Sequence, residues 1–391
     1  MPTLNIAINV DGKPAKRVYV EHTWEVLGIR GPLGLYMTDN NGRVRDNGGN
    51  AGIDSSKDEA HIRILGQNSV ARILNGKFPL MIFPIWVDKK VRDGVTINLN
   101  TAADKVDHFR ILNLAMQNYE EVHRRFPPFS SLPNVDFPLG RQRTLQATKG
   151  QTERIGIVFP DNLFSDNPSD ALAFCEPKSL TTGYPLIHLK DRNQSQPMFD
   201  KLFGTNGMSP TVIAGEFSHA LHFSLLDSTA RGAVEVNYVK FLLSELLADR
   251  KPIHKMGKHT TALVAYIEAI DHFSLRLSLF VARFGNFRVD LPRDFVLAEL
   301  KDTAPYWLAG SPQVGQLTGD NMRPLFTTSD DEGAIYGAIF LDFARRTTPA
   351  TAVWAYFQSH ALNFRQYQSW IHAHMPQHTA AIDAVAVTWS L

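Results

Sequence analysis

The segment 211–226, TVIAGEFSHALHFSLL, carries one carboxylate and two imidazoles on an otherwise apolar stretch. Because a helix turns about 100° per residue, Gly215 and His219 project from one face, one turn apart. A histidine at position 215 would complete His-Glu-x-x-His, a pattern in which two imidazoles on one helix face hold zinc. The chain keeps Glu216 and His219, but it has a glycine in place of the first imidazole. The segment therefore predicts a metal-site helix that lacks one ligand.

The elements around this helix begin with a β region. Short apolar or alternating runs fill residues 1–100, and turns rich in Gly, Asn and Asp separate them. Strands of this length and spacing predict a small antiparallel β-sandwich. The acidic and amide residues of these turns lack the spacing of a twelve-residue calcium loop, which favours turn chemistry over calcium binding for Asp39, Asn40, Asn41, Asp46 and Asn47.

The pattern changes to helix near Thr101. Apolar residues recur there at steps of three or four, namely Val106, Phe109, Leu112, Met116, Tyr119 and Val122. Three extended runs follow, at 154–159, 170–177 and 184–191. The pair Ser209-Pro210 then predicts a helix start, with Ser209 as N-cap and the proline in the first turn.

Beyond the motif helix, which we expect to end near Leu226, the chain is mostly helical in pattern. The helical runs are 234–250, 261–284, 331–346, 350–361, 364–375 and a last segment from Ala380. We predict a multidomain α+β chain with three domains: a β-sandwich over 1–100, a small mixed sheet with the motif helix over 101–226, and a helical subdomain over 227–391.

The first domain resembles the transthyretin-like or carboxypeptidase-regulatory-like β-domains. The resemblance rests on VDGKPAKRVYV, where a strand carries Gly-x-Pro, and on the hairpin MTDNNGRVRD that follows it. It covers about 40 residues.

Residues 102–391 resemble the zincin metallopeptidases, and most of the resemblance lies in VIAGEFSHALHF. In that superfamily a helix and a twisted sheet support the motif helix, and a helical subdomain closes the cleft. The resemblance implies that Glu216 is the general base acting on a zinc-bound water and that His219 is a zinc ligand. Gly215 departs from the pattern, and this puts zinc binding and peptidase activity in doubt. The alternative is an amphipathic helix with partly buried histidines.

A third ligand would come from a later helix. In the gluzincin branch this helix carries Glu with Asp four residues on, and SELLAD supplies Glu245 and Asp249 with that spacing. Glu235 competes for the role, because Glu235, Tyr238 and Glu245 share one helix face. The alternative for these glutamates is a solvated surface.

His222 offers a replacement for the missing imidazole. It lies three residues after His219 on nearly the same face, so His219, His222 and Glu245 could hold a metal about one turn along the helix. That shift would separate the metal from Glu216. Glu216 could instead become a ligand in a Glu-x-x-His pair, as in di-iron bundles, but a di-metal carboxylate site is not favoured. A trailing histidine that binds no metal is the alternative.

Composition narrows the class of protein. Lys plus Arg number 40 against 39 for Asp plus Glu, and no basic tract suggests nucleic acid as a partner. The single cysteine, Cys175, forms no internal disulfide and is expected to be a buried small hydrophobe. The N-terminus reads as a strand rather than a signal peptide, and no apolar run is long enough for membrane insertion. The default expectation is a soluble, cytoplasmic protein.

Three functions follow from this pattern. The first is a zincin-fold protein with a degenerate site, weak or no zinc binding, and a cleft that binds a peptide or protein ligand. The second is an active metal-dependent peptidase or other hydrolase with a rearranged metal site. The third is a non-enzymatic helical binding protein in which the motif is accidental.

Overall fold

The computed structural model describes residues 3–26, 29–46, 48–78, 81–120, 155–161, 173–177, 185–189, 210–227, 229–236, 337, 339–340, 342–344, 346–389 and 391. The residues with a predicted role that lie outside these ranges are Asn47, Val122, Ser209, Tyr238, Glu245 and Asp249. The predicted helical run 261–284 also lies outside them. The described residues contain strands and helices with antiparallel sheets, which confirms the α+β class.

The chain divides into two compact units. Unit 1 comprises Met1–Glu120, Pro133–Asn167 and Ser179–Gln194, and unit 2 comprises Glu121–Leu132, Pro168–Lys178 and Ser195–Leu391. The division into three domains, which comes from the sequence, stays a prediction.

Unit 1 begins with twelve short strands. They are β1 (Thr3–Leu4), β2 (Ala7–Val10), β3 (Lys13–Pro14), β4 (Tyr19–Val26), β5 (Ile29–Thr38), β6 (Val44–Arg45), β7 (Ile53–Asp54), β8 (Glu59–Leu65), β9 (Ala71–Phe78), β10 (Met81–Pro84), β11 (Trp86–Arg92) and β12 (Thr96–Leu99).

An antiparallel sheet of five strands, in the order β11-β8-β4-β5-β6, dominates this region. Its apolar face is buried and carries Val20, Ile62, Ile64, Val87 and Val91. On the other face Arg63 donates to Glu21 at 3.2 Å and to Asp88 at 3.3 Å, which ties β8 to both neighbours. Side chains of a strand alternate between faces, so the alternating sequence runs produce this two-sided sheet. Two smaller sheets have the orders β12-β2-β3 and β1-β7.

A second large sheet combines strands that come before residue 100 with strands that come after it. In unit 1 it contains β9, β10, β13 (Ile155–Asp161) and β15 (Leu186–Leu189), and β13 runs parallel between β9 and β15. Residues 155–159 and 185–189 are buried throughout, as is usual for parallel strands covered on both faces. The sequence predicts a mixed sheet for the later strands but assigns β9 to the sandwich. Local patterning does not report a pairing between such distant segments.

Helix α1 (Val106–Asn118) follows β12. It begins at Val106 rather than near Thr101, because Lys105 has a left-handed backbone with φ of 53° that interrupts the helix there. The predicted apolar stripe is confirmed for Val106, Phe109, Leu112 and Met116, which are all buried. The helix contacts β9 and β2.

Unit 2 contains β14 (Ala173–Glu176), α2 (Pro210–Leu225), α3 (Pro349–Gln358), α4 (Phe364–His374) and α5 (Thr379–Trp389), with a short 3₁₀ turn at Pro376–His378. The described residues within 229–236 and 337–346 are also helical. Thr348 and Asn363 cap α3 and α4 by accepting backbone N–H bonds from Thr351 and Gln366. Cys175 on β14 is 8% exposed, so its expected burial is confirmed.

An aromatic cluster forms the centre of the helical residues. Phe340 meets Tyr356 and Tyr367 edge to face at centroid distances of 5.0 and 5.1 Å, and Phe343 meets Tyr367 at 5.9 Å. Edge-to-face ring pairs of this kind add about 0.5–1.5 kcal/mol each beyond the burial of their area. Phe340 and Phe343 therefore belong to the core of these helical residues.

Asp342 fastens the C-terminal helix to this cluster. Its carboxylate is 1% exposed, accepts the indole N–H of Trp389 at 3.1 Å, and forms an ion pair with Arg346 at 3.2 Å. A buried carboxylate with these partners links α5 to the helical residues near 342. Loss of the carboxylate would leave a buried indole N–H without its acceptor.

We expect Asp342→Ala to lower the free energy of unfolding by about 2–3 kcal/mol, because removing one partner leaves a buried donor unsatisfied. Urea denaturation followed by circular dichroism measures the change. Asp383→Ala is the matched control: its exposed carboxylate also contacts two side chains, Gln368 and His372, on α4. Equal destabilisation by the two variants would contradict the anchoring role.

Candidate functional site

Helix α2 is buried on nearly every face. Gly215 and all seven residues of 217–223 are buried, and Glu216 is half-buried. Seven consecutive residues make almost two turns, so they cover the whole circumference of the helix. An amphipathic surface helix would expose one of these faces. The sequence does not decide between a surface helix and an interior helix. The structure makes α2 an interior helix that contacts β14 and α3.

The face that could hold a metal contains Gly215, His219 and His222. At 100° per residue these positions fall within an arc of about 60°, and Glu216 lies about 100° around the helix from Gly215. His219 is 5% exposed, and its ring lies nearly parallel to that of Phe223, with centroids 6.1 Å apart and an interplanar angle of 13°. The structure thus brings the two predicted imidazoles to one buried face.

An aromatic cage encloses His222. Its ring lies 4.8 Å from Tyr356, 5.8 Å from Phe357 and 5.9 Å from Phe223, measured between centroids. The side chain has no exposed surface, and neither ring nitrogen has a hydrogen-bond partner. A buried polar group without a partner costs about 1–3 kcal/mol in proteins. The protein therefore carries an energetic cost at His222 that an apolar side chain would avoid.

Burial fixes the protonation state of His222. Removal of the ring from water, together with smaller contributions from the imidazoles of His219 and His360, lowers the pKa of His222 from 6.5 to about 3. At neutral pH the ring is uncharged. A neutral imidazole is the form that binds metal ions.

His360 is a neighbour that the sequence analysis does not identify. It follows the C-terminal end of α3 and has φ of 47°, a left-handed conformation that is uncommon for residues other than glycine. Its Nδ1 atom is buried and has no hydrogen-bond partner. The residue lies 138 positions after His222, so no helical periodicity connects the two. In the sequence, His360 is marked only by its position near the end of a predicted helix.

The acidic candidates are only partly described. Glu235 is half-buried at the end of the helical residues 229–236. The proposed partners on its helix face, Tyr238 and Glu245, lie outside the described residues, as does Asp249. The ligand set His219, His222 and Glu245 therefore stays a prediction.

Other motifs of the chain have structural explanations. In HAHMPQH, His372 pairs with Asp383 at 2.7 Å and His374 stacks on Trp370 at 4.6 Å, so both histidines have surface partners. Asp39 accepts the backbone N–H groups of Asn41 and Arg43. This confirms turn chemistry at that position.

Asp46 plays the same part in the next turn. Its carboxylate accepts backbone N–H bonds from Gly48 and Asn50. The carboxylate therefore closes a turn, as the Gly- and Asn-rich sequence predicts.

Within the part of the chain that the structure describes, no group of three or more His, Cys, Asp or Glu side chains is placed to hold a metal ion. The described part of α2 thus does not supply the full zinc ligand set that the zincin resemblance implies. Comparison of the chain with protein-family models, curated proteins and solved structures gives no match in any of the three. None of the described helices is long and apolar enough to cross a membrane.

The burial of His222 predicts how stability depends on pH. Between pH 6.5 and about 3 the unfolded chain binds a proton at His222 that the folded chain does not bind. The free energy of unfolding therefore falls as the pH falls, by roughly 2 kcal/mol between pH 7 and pH 5 from this group. Urea denaturation at the two pH values should show a smaller loss for His222→Phe than for the parent.

The variant His378→Ala, at a half-buried histidine on the short 3₁₀ turn, provides the control and should keep the pH dependence of the parent. An unchanged loss of stability in His222→Phe would show that the imidazole is protonated in the folded state.

Proposed function

We propose that the chain is a zincin-like protein whose peptidase centre is degenerate and whose cleft binds a peptide or protein segment without cleaving it. The observation that carries the proposal is the buried Gly215 on the same face of α2 as His219. A zincin site needs a donor at both positions, together with a third ligand and an open position for water. The chain supplies only the second of the two helix donors.

The energetic consequences support loss of peptidase activity. Changes outside the ligand shell of a zinc site already reduce affinity by about 10–100-fold, so loss of a ligand itself costs more. Without the metal, Glu216 has no activated water to deprotonate. Glycine also weakens a helix interior by about 1 kcal/mol relative to alanine. The cleft that the zincin resemblance implies would then serve binding rather than hydrolysis.

An active metal-dependent hydrolase is the second candidate. The observation in its favour is the neutral, unpaired imidazole of His222, which could join His219 and Glu245 as a ligand while Glu216 remains the base. A metal at this position would lie about one turn from the usual site, and the base would then be badly placed relative to the bound water. For this reason we favour the binding function.

Restoration of the missing ligand tests the proposal. We expect Gly215→His to raise zinc affinity by about 100-fold or more relative to the parent, because it completes the helix pair with His219. Metal content after dialysis and competition with a chromophoric chelator measure the affinity. Gly215→Cys supplies a smaller donor in case the imidazole does not fit the buried position.

Two controls make the result specific. Thr229→His adds an imidazole at an exposed helical position and should leave zinc affinity unchanged. Adding His219→Ala to Gly215→His should abolish the gain. The zincin geometry is wrong if neither Gly215→His nor Gly215→Cys binds more zinc than the parent while both variants remain folded.

The parent chain tests the second candidate. If it cleaves a generic peptide in a zinc-dependent manner, and Glu216→Gln abolishes that cleavage, the protein is an enzyme and the binding proposal fails.

A further inference from the structure

We propose that Trp24 and Tyr36, on the hairpin formed by β4 and β5, bind a proline-rich segment of another protein in the polyproline II conformation. The two rings and the glycines beneath them, Gly31 and Gly34, are here called the aromatic strip. This inference goes beyond the proposed function, because the aromatic strip lies in unit 1 and the motif helix α2 lies in unit 2. It rests on the contacts between rings and glycines and on the exposure of Trp24.

The two rings of the aromatic strip belong to one face of the β4–β5 pair. Trp24 is opposite Gly31, and Tyr36 is opposite Val20. Opposed residues project to the same face, and so do residues separated by an even number of positions on one strand. Trp24 and Val20 are four positions apart on β4, so both rings share the face of Val20. This face is buried at Val20 and exposed at Trp24, which places the strip where the buried face reaches solvent.

Each ring lies over a glycine of β5. A Cβ atom at position 31 would lie 2.5 Å from Cε2 and 2.6 Å from Cζ2 of Trp24, far inside van der Waals contact. A Cβ atom at position 34 would lie 3.0 Å from Cε2 of Tyr36. Glycine weakens the interior of a strand, and the close approach of another group is a common reason for its presence there. The two glycines therefore leave room for the two rings.

A β-bulge between the two glycines adds exposed apolar surface beside the rings. The pairing with β4 passes from Gly34 to Pro32, so Leu33 is the extra residue of β5. Bulges redirect side chains, and Leu33 is 49% exposed. Trp24 keeps 39% of its surface exposed although it covers the glycine opposite. Support of a glycine explains one side of the indole, and the exposed remainder is free surface for a ligand.

The chemistry of the aromatic strip selects an uncharged, apolar ligand. None of its four residues carries a charge, and His22, which is opposite Gly34, is neutral at pH 7 because burial, with a smaller contribution from His61, lowers its pKa. Addition of an extended strand to β5 is disfavoured, since Pro32 lacks the N–H group that an added strand would need. Proline rings are apolar, and a polyproline II segment is already ordered before it binds.

The spacing of the aromatic strip suits one turn of such a segment. Gly31 and Gly34 are opposite Trp24 and His22, which are two positions apart on β4, so the glycines lie about 7 Å apart along the strand. A polyproline II helix completes a turn in three residues and rises about 9 Å in doing so. One turn therefore extends across both rings. Grooves lined by aromatic side chains are the usual recognition sites for these segments.

A labelled peptide of ten prolines tests the proposal. We expect the full chain to bind it saturably in fluorescence anisotropy, and to bind a glycine–serine peptide of the same length about tenfold more weakly, because that peptide is not preorganised. Trp24→Ala should weaken binding of the proline peptide by about tenfold or more, as for other central aromatic contacts. Gly31→Ala should weaken it in the same direction, since the added Cβ displaces an indole that is otherwise intact.

Trp86 and Gly232 provide the matched controls. Trp86→Ala removes a tryptophan of similar exposure, 37%, from the face that carries Arg63, and it should leave the affinity for the peptide unchanged. Gly232→Ala adds a methyl group that meets no described heavy atom within 4 Å beyond its own helix, and it should also have no effect. Circular dichroism and urea denaturation check that every variant is folded.

Absence of saturable binding of the proline peptide to the parent would overturn the proposal, as would equal affinity in folded Trp24→Ala. If Trp24→Ala does not fold, Gly31→Ala and Trp24→Phe take its place, and unchanged affinity in both would overturn the proposal. Cellohexaose, an uncharged oligosaccharide, is titrated in parallel. Binding of this sugar that requires Trp24, without binding of the proline peptide, would assign the aromatic strip to carbohydrate and overturn the proposal.

These outcomes are separate from those of the proposed function. Failure of the proline peptide to bind would leave the degenerate zincin centre intact, since that centre lies in unit 2. Failure of Gly215→His to gain zinc would not affect a site built from Trp24 and Tyr36.

Discussion

The enclosure of His222 by aromatic rings is the constraint on which the interior of the helical unit depends. Tyr356 contacts both His222 and Phe340, and Phe340 in turn contacts Tyr367. One chain of ring contacts thus runs from α2 through α3 to α4. Any change in the position of α2 would have to break this packing, because densely packed interiors have few alternative arrangements. The helix with the candidate site is therefore positioned by the core itself.

This packing explains why an unfavourable residue can be accommodated. A neutral imidazole without partners reduces stability, and Gly215 weakens the same helix, yet the aromatic contacts around α2 offset both costs. Strained or unsatisfied groups usually occur where the surrounding structure holds them in place. Buried polar atoms without a hydrogen-bond partner also occur in unit 1, at both polar side-chain atoms of Gln67. The turn carboxylates of Asp39 and Asp46 in that unit accept several hydrogen bonds each.

The two units differ in how their polar groups contribute. On the outer face of the five-stranded sheet, Arg63 joins Glu21 and Asp88 across three strands and lies over the ring of Trp86 at 4.9 Å. These groups fix the register of a sheet that is apolar on its other face. In unit 2, Asp342 connects Trp389 and Arg346 and so fixes the C-terminal helix. Both arrangements hold elements together, and neither provides converging unpaired donors.

Local sequence pattern determined many of the strands and helices of this protein. The alternation in β4 and β8, the apolar stripe of α1, the Pro210 start of α2 and the capping residues Thr348 and Asn363 all follow from short-range stereochemistry, which the sequence states directly. The spacing of Gly215, His219 and His222 likewise determined that they share a helix face. Tertiary structure alone decided that β9 pairs with β13, that α2 is an interior helix and that Tyr356 and Phe357 of α3 pack against the ring of His222. These contacts join segments far apart in the chain, and they depend on which buried surfaces fit together rather than on any periodicity within one segment.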